Sequence, residues 1–189
     1  MEDLGQHLGQ SLQGRVCLIG LGNVDYGDDG FGVRLAEQLI DAGLADVMVV
    51  GTTPERFLGR IEQRRFDHVV FVDTVDSGSE PGSVIFLDSA QMAARFPQFS
   101  THKISFSVLA DFVEASGTTK AWLLGVQPES QRPADPHAKD QPLTPTVRRT
   151  LEALCELLLS VLGEQSVPRS GAASPSEQCL TSSEEGPNA

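Results

Sequence analysis

The stretch CLIGLGNVDYGDDGFGVRLAEQL, Cys17 to Leu39, decides the fold. An apolar run, a glycine turn and an amphipathic segment follow one another, as strand, turn and helix do at the start of a βαβ unit. A phosphate-binding turn would need G-x-G-x-x-G, so that backbone N–H groups can meet a pyrophosphate. Here Gly20 and Gly22 are present but Asp25 fills the third glycine position, and Asp28 and Asp29 follow where the helix is expected to start. Two carboxylates there would already satisfy the positive end of the helix dipole and would repel a phosphate. No Lys-Ser/Thr pair follows the glycines, so a P-loop is absent as well. What suits this turn is a cation.

Outward from this motif, short apolar runs alternate with helical patterns. Strands are expected at 15–20, 46–50, 67–73, 82–88 and 120–126. The run at 82–88 follows its predecessor without a helix, which marks it as an edge or antiparallel strand. Helices are expected from Gly30 to a stop at Gly43, and over 53–63 with Thr53 as N-cap. Others are expected over 106–115 and from Thr144 to Gly163 with Pro145 in the first turn. A loop rich in Pro, Asp and Gln fills 127–143. The pattern predicts an α/β fold, a three-layer α/β/α sandwich around a mostly parallel twisted sheet. Residues 1–14 are polar and are expected as a flexible N-terminal extension, with 15–163 as the domain. Residues 164–189, rich in Ser, Pro and Glu, are expected as a disordered tail.

The 189 residues carry a formal net charge of −12, so nucleic acid and an acidic membrane surface are disfavoured partners. No apolar run approaches the ~20 residues that span a bilayer, and the N-terminus has no secretory h-region, so a cytoplasmic location is expected. The three cysteines, Cys17, Cys155 and Cys179, are widely spaced, which argues against a disulfide framework or a zinc knuckle. Cys17 and Cys155 read as small core fillers.

In a doubly wound sheet, sites form outside the carboxyl ends of the strands. That rule selects Asp28 and Asp29 after the first strand's glycine turn and Asp73 at the end of the third strand. His102, in the segment STHKIS before the helix at 106, could lie on the same side. Asp29, Asp73 and His102 together would supply two hard oxygens and an imidazole nitrogen. Two Asp alone suit Mg²⁺; adding an imidazole moves the preference toward Zn²⁺ or Ni²⁺, with coordination positions left open. Each residue also has a plainer reading. One of the Asp28–Asp29 pair could cap the helix, Asp73 could be a turn residue, and His102 a solvated loop histidine. His7 and His68 have no partner in the sequence, and His137 is a weaker fourth candidate.

The motifs GLGNVDYGDDGFG, GTTPERF, VVFVDTVDSGSEPG, STHKISFSVLADFV, LLGVQPES and PLTPTVRRTLEALCELLLSVL, in this order, resemble those of the [NiFe]-hydrogenase maturation endopeptidases. The resemblance covers about residues 15–163 and implies an α/β/α sandwich. It implies an endopeptidase that removes a C-terminal extension from the hydrogenase large-subunit precursor after nickel insertion. It also implies that Asp29, Asp73 and His102 bind the metal. That metal is nickel carried by the substrate, for which other divalent transition metals could substitute. The loop 127–143 is longer than the resemblance leads one to expect. Asp29 or Asp73 could activate water as general base, or the metal could polarise the scissile carbonyl. Asn23 and Thr52 are candidates to hydrogen-bond the substrate. The competing expectation is a non-catalytic, nickel-dependent chaperone of the same large subunit. A monomer is expected.

Overall fold

Strand β1 (Val16–Leu21) carries side chains that alternate between two cores, because successive residues of a strand point to opposite faces. Cys17, Ile19 and Leu21 enter one core, and Leu18 enters the other. The computed structural model describes residues 2–96, 105–130, 135 and 137–163, and the expected tail at 164–189 lies outside the described residues.

Around β1 the sheet has the order β2-β1-β3-β5-β4, with β2 (Val47–Gly51), β3 (His68–Thr74), β4 (Val84–Asp88) and β5 (Lys120–Val126). Neighbours are parallel except β4, which runs antiparallel to β5 at the edge, as the missing helix before it implies. All seven residues of β3 are buried, as a central parallel strand requires.

Helices cover both faces. On one lie α1 (Glu2–Ser11), α2 (Phe31–Asp41) and α6 (Pro145–Gly163), whose Leu8, Leu35, Leu39, Val147, Leu151, Leu154 and Leu158 pack with Leu18, Val70, Val72 and Leu124. On the other lie α3 (Leu58–Arg64), α4 (Ser89–Arg95) and α5 (Phe106–Glu114), which bring Ile61, Met92, Phe106, Leu109 and Val113 against Ile19, Val69 and Phe71. The expected three-layer α/β/α sandwich is the one observed.

Four local expectations need correction. Residues 2–11, expected to be flexible, form α1. The polar composition hides Leu4, Leu8 and Leu12 at a spacing of four, one helical face, and Leu8 and Leu12 are both 0% exposed. The expected helix 53–63 is split: a 3₁₀ turn, Pro54–Arg56, precedes α3, and Thr53 makes no side-chain cap bond. Phe57 leaves helical spacing at the break and packs with Leu58 against the core. Helix α4, not expected, starts with a reciprocal capping box in which Asp88 accepts Gln91 N (2.8 Å) and Gln91 Oε1 accepts Asp88 N (3.0 Å). Finally, α2 is preceded by a 3₁₀ segment, Val24–Gly30, and its N-cap position is Gly30 with no side-chain cap, so neither Asp28 nor Asp29 caps it.

Two histidines find partners in space. His7 meets the Phe86 ring edge-on at 5.3 Å, and Phe86 stacks on Trp122 at 4.8 Å. The Trp122 indole N–H donates to His68 Nδ1 (3.0 Å). An indole is only a donor, so the proton of neutral His68 sits on Nε2 and is donated to the Gln13 carbonyl (2.9 Å). Burial lowers the His68 pKa from its ordinary 6.5, against the smaller upward pull of the Gln13 carbonyl and Asp67; Lys120 also lowers it.

Leu8→Ala should cost about 2–5 kcal/mol in urea denaturation, as for other buried leucines; an unchanged midpoint would show that α1 does not dock. The His68 shift sets a second expectation. Below about pH 6.5 the unfolded chain takes up a proton that the native His68 refuses, so stability falls with acidification through that window and is unaffected above it. Urea midpoints at pH 5.5 and 7.5 should show this drop, and His68→Gln should reduce it.

Candidate active site at the carboxyl ends of β1 and β3

The chain leaves β1 toward α2 on one face, whereas the helices that follow β2 and β4 lie on the other. A crevice therefore opens between the carboxyl ends of β1 and β3, the place where ligands bind in doubly wound sheets. Close backbone packing sets its depth. A Cβ on Gly32 would collide with the carbonyl oxygens of Val72 and Leu21, and one on Gly20 with the Gly32 carbonyl. Glycines thus let α2 lie directly over β1 and β3.

Gly22 turns the chain out of β1 with φ +118°, a conformation that favours glycine, and its N–H donates to Gly51 O at the end of β2 (3.2 Å). A Cβ here would collide with the Asp29 carbonyl oxygen and would stand 3.6 Å from Asp73 Oδ1. Asn23 N–H is shared between Asp29 Oδ2 (2.9 Å) and Asp29 O (3.2 Å). Asp29 and Asp73 therefore converge on the Gly22–Asn23 turn, Asp29 half-buried and Asp73 0% exposed. Asp73 Oδ1 also accepts the Thr74 N–H (2.7 Å), which fixes its carboxylate at the strand end.

The remaining candidates fare differently. His102 lies outside the described residues. His137 is exposed in the loop before α6, and among the described residues no three His, Cys, Asp or Glu side chains form a group that could hold a metal. Asn23 uses its side-chain oxygen on Asp25 N (3.0 Å), capping the 3₁₀ segment, and Thr52 is exposed. Burial pushes the Cys17 thiol up to about 12, with Asp46 adding to it, and burial followed by Glu156 raises Cys155. Neither is a ready nucleophile.

Gln127, and the separate role of Asp28, escaped the sequence reading. Gln127, at the exit of β5, accepts Ser77 N (2.8 Å) and Ser79 N (3.3 Å) on its Oε1 and donates to Asp76 Oδ1 (3.3 Å), so it shapes the chain leaving β3 beyond Asp73. Asp28 is 1% exposed and faces away from the turn, into hydrogen bonds with Glu129, Ser130 and Thr144. A polar residue directly after an apolar strand was the available signal for Gln127. Nothing local distinguished Asp28 from Asp29.

Two carboxylates that approach one turn at the carboxyl ends of adjacent parallel strands suit a hard or borderline cation or the activation of a water. The chain is similar to known proteins over most of its length. Residues 32–161 match the family model described as hydrogenase maturation protease. The chain is 31% identical to the Hydrogenase 2 maturation protease of Escherichia coli K12 over 82% of its own length and 96% of that protein's. Its fold superposes on the [NiFe] hydrogenase maturation protease HycI of Thermococcus kodakarensis with TM-score 0.70 and 29% identity, covering 85% of this chain and 99% of that one. The E. coli hydrogenase maturating endopeptidase HybD gives TM-score 0.63 and 28% identity, covering 80% of this chain and 94% of that one. With its fold, its acidic crevice and the family match in agreement, the chain belongs to the hydrogenase maturation proteases.

Proposed function

We propose that this protein is an endopeptidase that removes the C-terminal extension of a [NiFe]-hydrogenase large-subunit precursor after nickel has been inserted. The nickel, carried by the substrate, is recognised through Asp29, Asp73 and His102. The observation that carries the reading is the convergence of Asp29 and Asp73 on the Gly22–Asn23 turn, one from each side of the crevice between β1 and β3.

The inclusion of His102 rests on the family resemblance and on the position of the start of α5. Asp73 has the strand parity of Val69 and Phe71, which face the layer of α3, α4 and α5. The Phe106 ring, at the start of α5, lies 6.5 Å from that of Phe71. Four residues of chain span at most about 14 Å, so the segment before α5 can bring an imidazole toward Asp73. Two carboxylates and one imidazole would leave coordination positions for a nickel still held by substrate groups. A precursor without nickel would lack that handle and would not be held for cutting.

The bond broken is the peptide bond at the junction of the extension. A water adds to the carbonyl carbon, its proton passing to a carboxylate, and the amine leaves with a proton. Asp29 and Asp73 are the groups within the crevice able to take that proton. The half-buried Asp29 is the better placed to meet a substrate water, and the buried Asp73 to anchor the cation.

Single-turnover cleavage of nickel-loaded precursor, followed by mass spectrometry, tests the proposal. The wild-type chain should release the extension from nickel-loaded precursor and leave nickel-free precursor intact. His102→Ala should weaken binding and be partly rescued by more substrate. Asp29→Asn should lower the rate at saturation by about 10²–10⁴-fold, the usual loss when a general base is removed. Full activity in Asp29→Asn, Asp73→Asn and His102→Ala would exclude the site. Binding of precursor without any loss of mass would favour the chaperone role instead.

A further inference from the structure

Asp28 adjoins Asp29 in sequence but serves a different set of partners. Its Oδ2 accepts the N–H groups of Glu129 (3.0 Å) and Ser130 (3.2 Å) and the Thr144 hydroxyl (3.1 Å), and its Oδ1 accepts Thr144 N (2.7 Å). The donors come from the exit of β5 and from the residue that opens α6, two segments on either side of the long loop. Further along the same 3₁₀ segment, Asp140 N donates to Asp25 Oδ1 (2.9 Å). Gln141, 4% exposed, gives its backbone N–H to Val24 O (2.9 Å) and its side-chain amide to Asp25 O (2.6 Å). The segment that carries Asp29 is fastened along its length to the chain between β5 and α6.

The fastening matters because helical geometry is broken inside the segment, beyond the reach of its Asn23 cap. Tyr26 (φ −116°, ψ 31°) and Gly27 (φ 61°, ψ −113°) break helical geometry within it, and Gly30 offers α2 no side-chain cap. A buried carboxylate with four donors is an anchor that would be costly to displace. Rotation of the segment at the Tyr26–Gly27 kink would carry Asp29 away from the Gly22 turn, and Asp28 opposes that rotation.

The geometry points to Asp28 as the positioning residue of this site: through Glu129, Ser130 and Thr144 it holds the 3₁₀ segment so that the Asp29 carboxylate stands beside Asp73. The inference rests on the proposed role of Asp29, and it divides the acidic pair into one residue for chemistry and one for placement. It also gives the 127–143 loop a duty, since the two ends of that loop deliver the four donors.

The Asn23 amide is a direct reporter, because its N–H is held by Asp29 Oδ2 and Asp29 O. Hydrogen exchange on the free protein, compared with the core amide of Phe71, separates local loosening from loss of global stability. Thr144→Val removes one donor to Asp28 without touching the crevice. Exchange at Asn23 should quicken about tenfold, the equivalent of one lost hydrogen bond to a charged group, while Phe71 keeps its protection. With nickel-loaded precursor, kcat should fall by a similar factor and KM should stay near wild type; Thr144→Ser should restore both. Asp28→Asn, which turns an amide donor toward N–H groups, should lose about 10–100-fold, as when a ligand's supporting hydrogen bond is removed. Unchanged Asn23 exchange and kcat in folded Asp28→Asn or Thr144→Val would overturn the assignment. So would equal acceleration at Asn23 and Phe71. If Asp28→Asn does not fold, the Thr144 pair decides alone. If the wild type fails to cut nickel-loaded precursor, the proposed function falls, while the exchange data still decide the role of Asp28.

Discussion

The contact between the backbone of α2 and the ends of β1 and β3 is the constraint on which the rest depends. Gly32 lies on the carbonyls of Leu21 and Val72, and Gly20 under the Gly32 carbonyl, with no side chain between them. This pins the start of α2 over the boundary where the chain paths of β1 and β3 part. The 3₁₀ segment before α2 must then bridge the short distance from Gly22 to Gly30, and it arrives with Asp29 over the turn. A larger residue at either glycine would lift α2 and widen the crevice, and Asp29 would move with the helix. Core packing and site geometry are one problem here.

The same constraint explains why two acids stand together. An isolated Asp29 on a seven-residue segment with a kink at Tyr26–Gly27 would have many orientations. The neighbouring carboxylate gives the segment a fixed point on the opposite side, where it meets donors from β5 and α6. Adjacent residues of a tight turn diverge in direction. One can therefore enter the crevice while the other enters the layer beneath the long loop. Gln127 plays the corresponding part for β3, ordering Ser77 and Ser79 just beyond Asp73. The crevice is thus held on both sides by polar groups from the exit of β5.

Much of the fold was legible because it rests on local patterns. The apolar runs at β1, β3 and β5 and the leucine stripe of α6 carry their own period, and the absence of a helix between β3 and β4 announced the antiparallel edge. What was missed depends on partners remote in sequence. Helix α1 looks polar on average, and its leucines gain meaning only when α6 and the sheet are there to receive them. The Asp88–Gln91 box was present in the sequence, but it lies in a helix of seven residues, too short for periodicity to stand out. Asp29 and Asp73 could be chosen by their place at strand ends. Asp28 could not be separated from Asp29, because its donors lie about a hundred residues downstream.

This difference between the two aspartates bears on how sequence motifs are read in α/β proteins. An acidic pair after a glycine turn reads as a statement about the ligand, a cation in place of a phosphate. Under the proposed function, Asp29 makes that statement. The other half answers a mechanical need that the glycine turn creates: Gly22 gives the chain freedom at φ +118°, and a short segment with that freedom cannot hold a charge in place by itself. Backbone N–H groups of a phosphate loop need no such help, since they are fixed by the turn itself. A side-chain carboxylate has two more rotatable bonds, so the Asn23 N–H that holds Asp29 is joined by support from outside the turn. A carboxylate placed at such a turn therefore calls for a second anchoring group, and the hydrogen bonds of Asp28 to Glu129, Ser130 and Thr144 are of that kind.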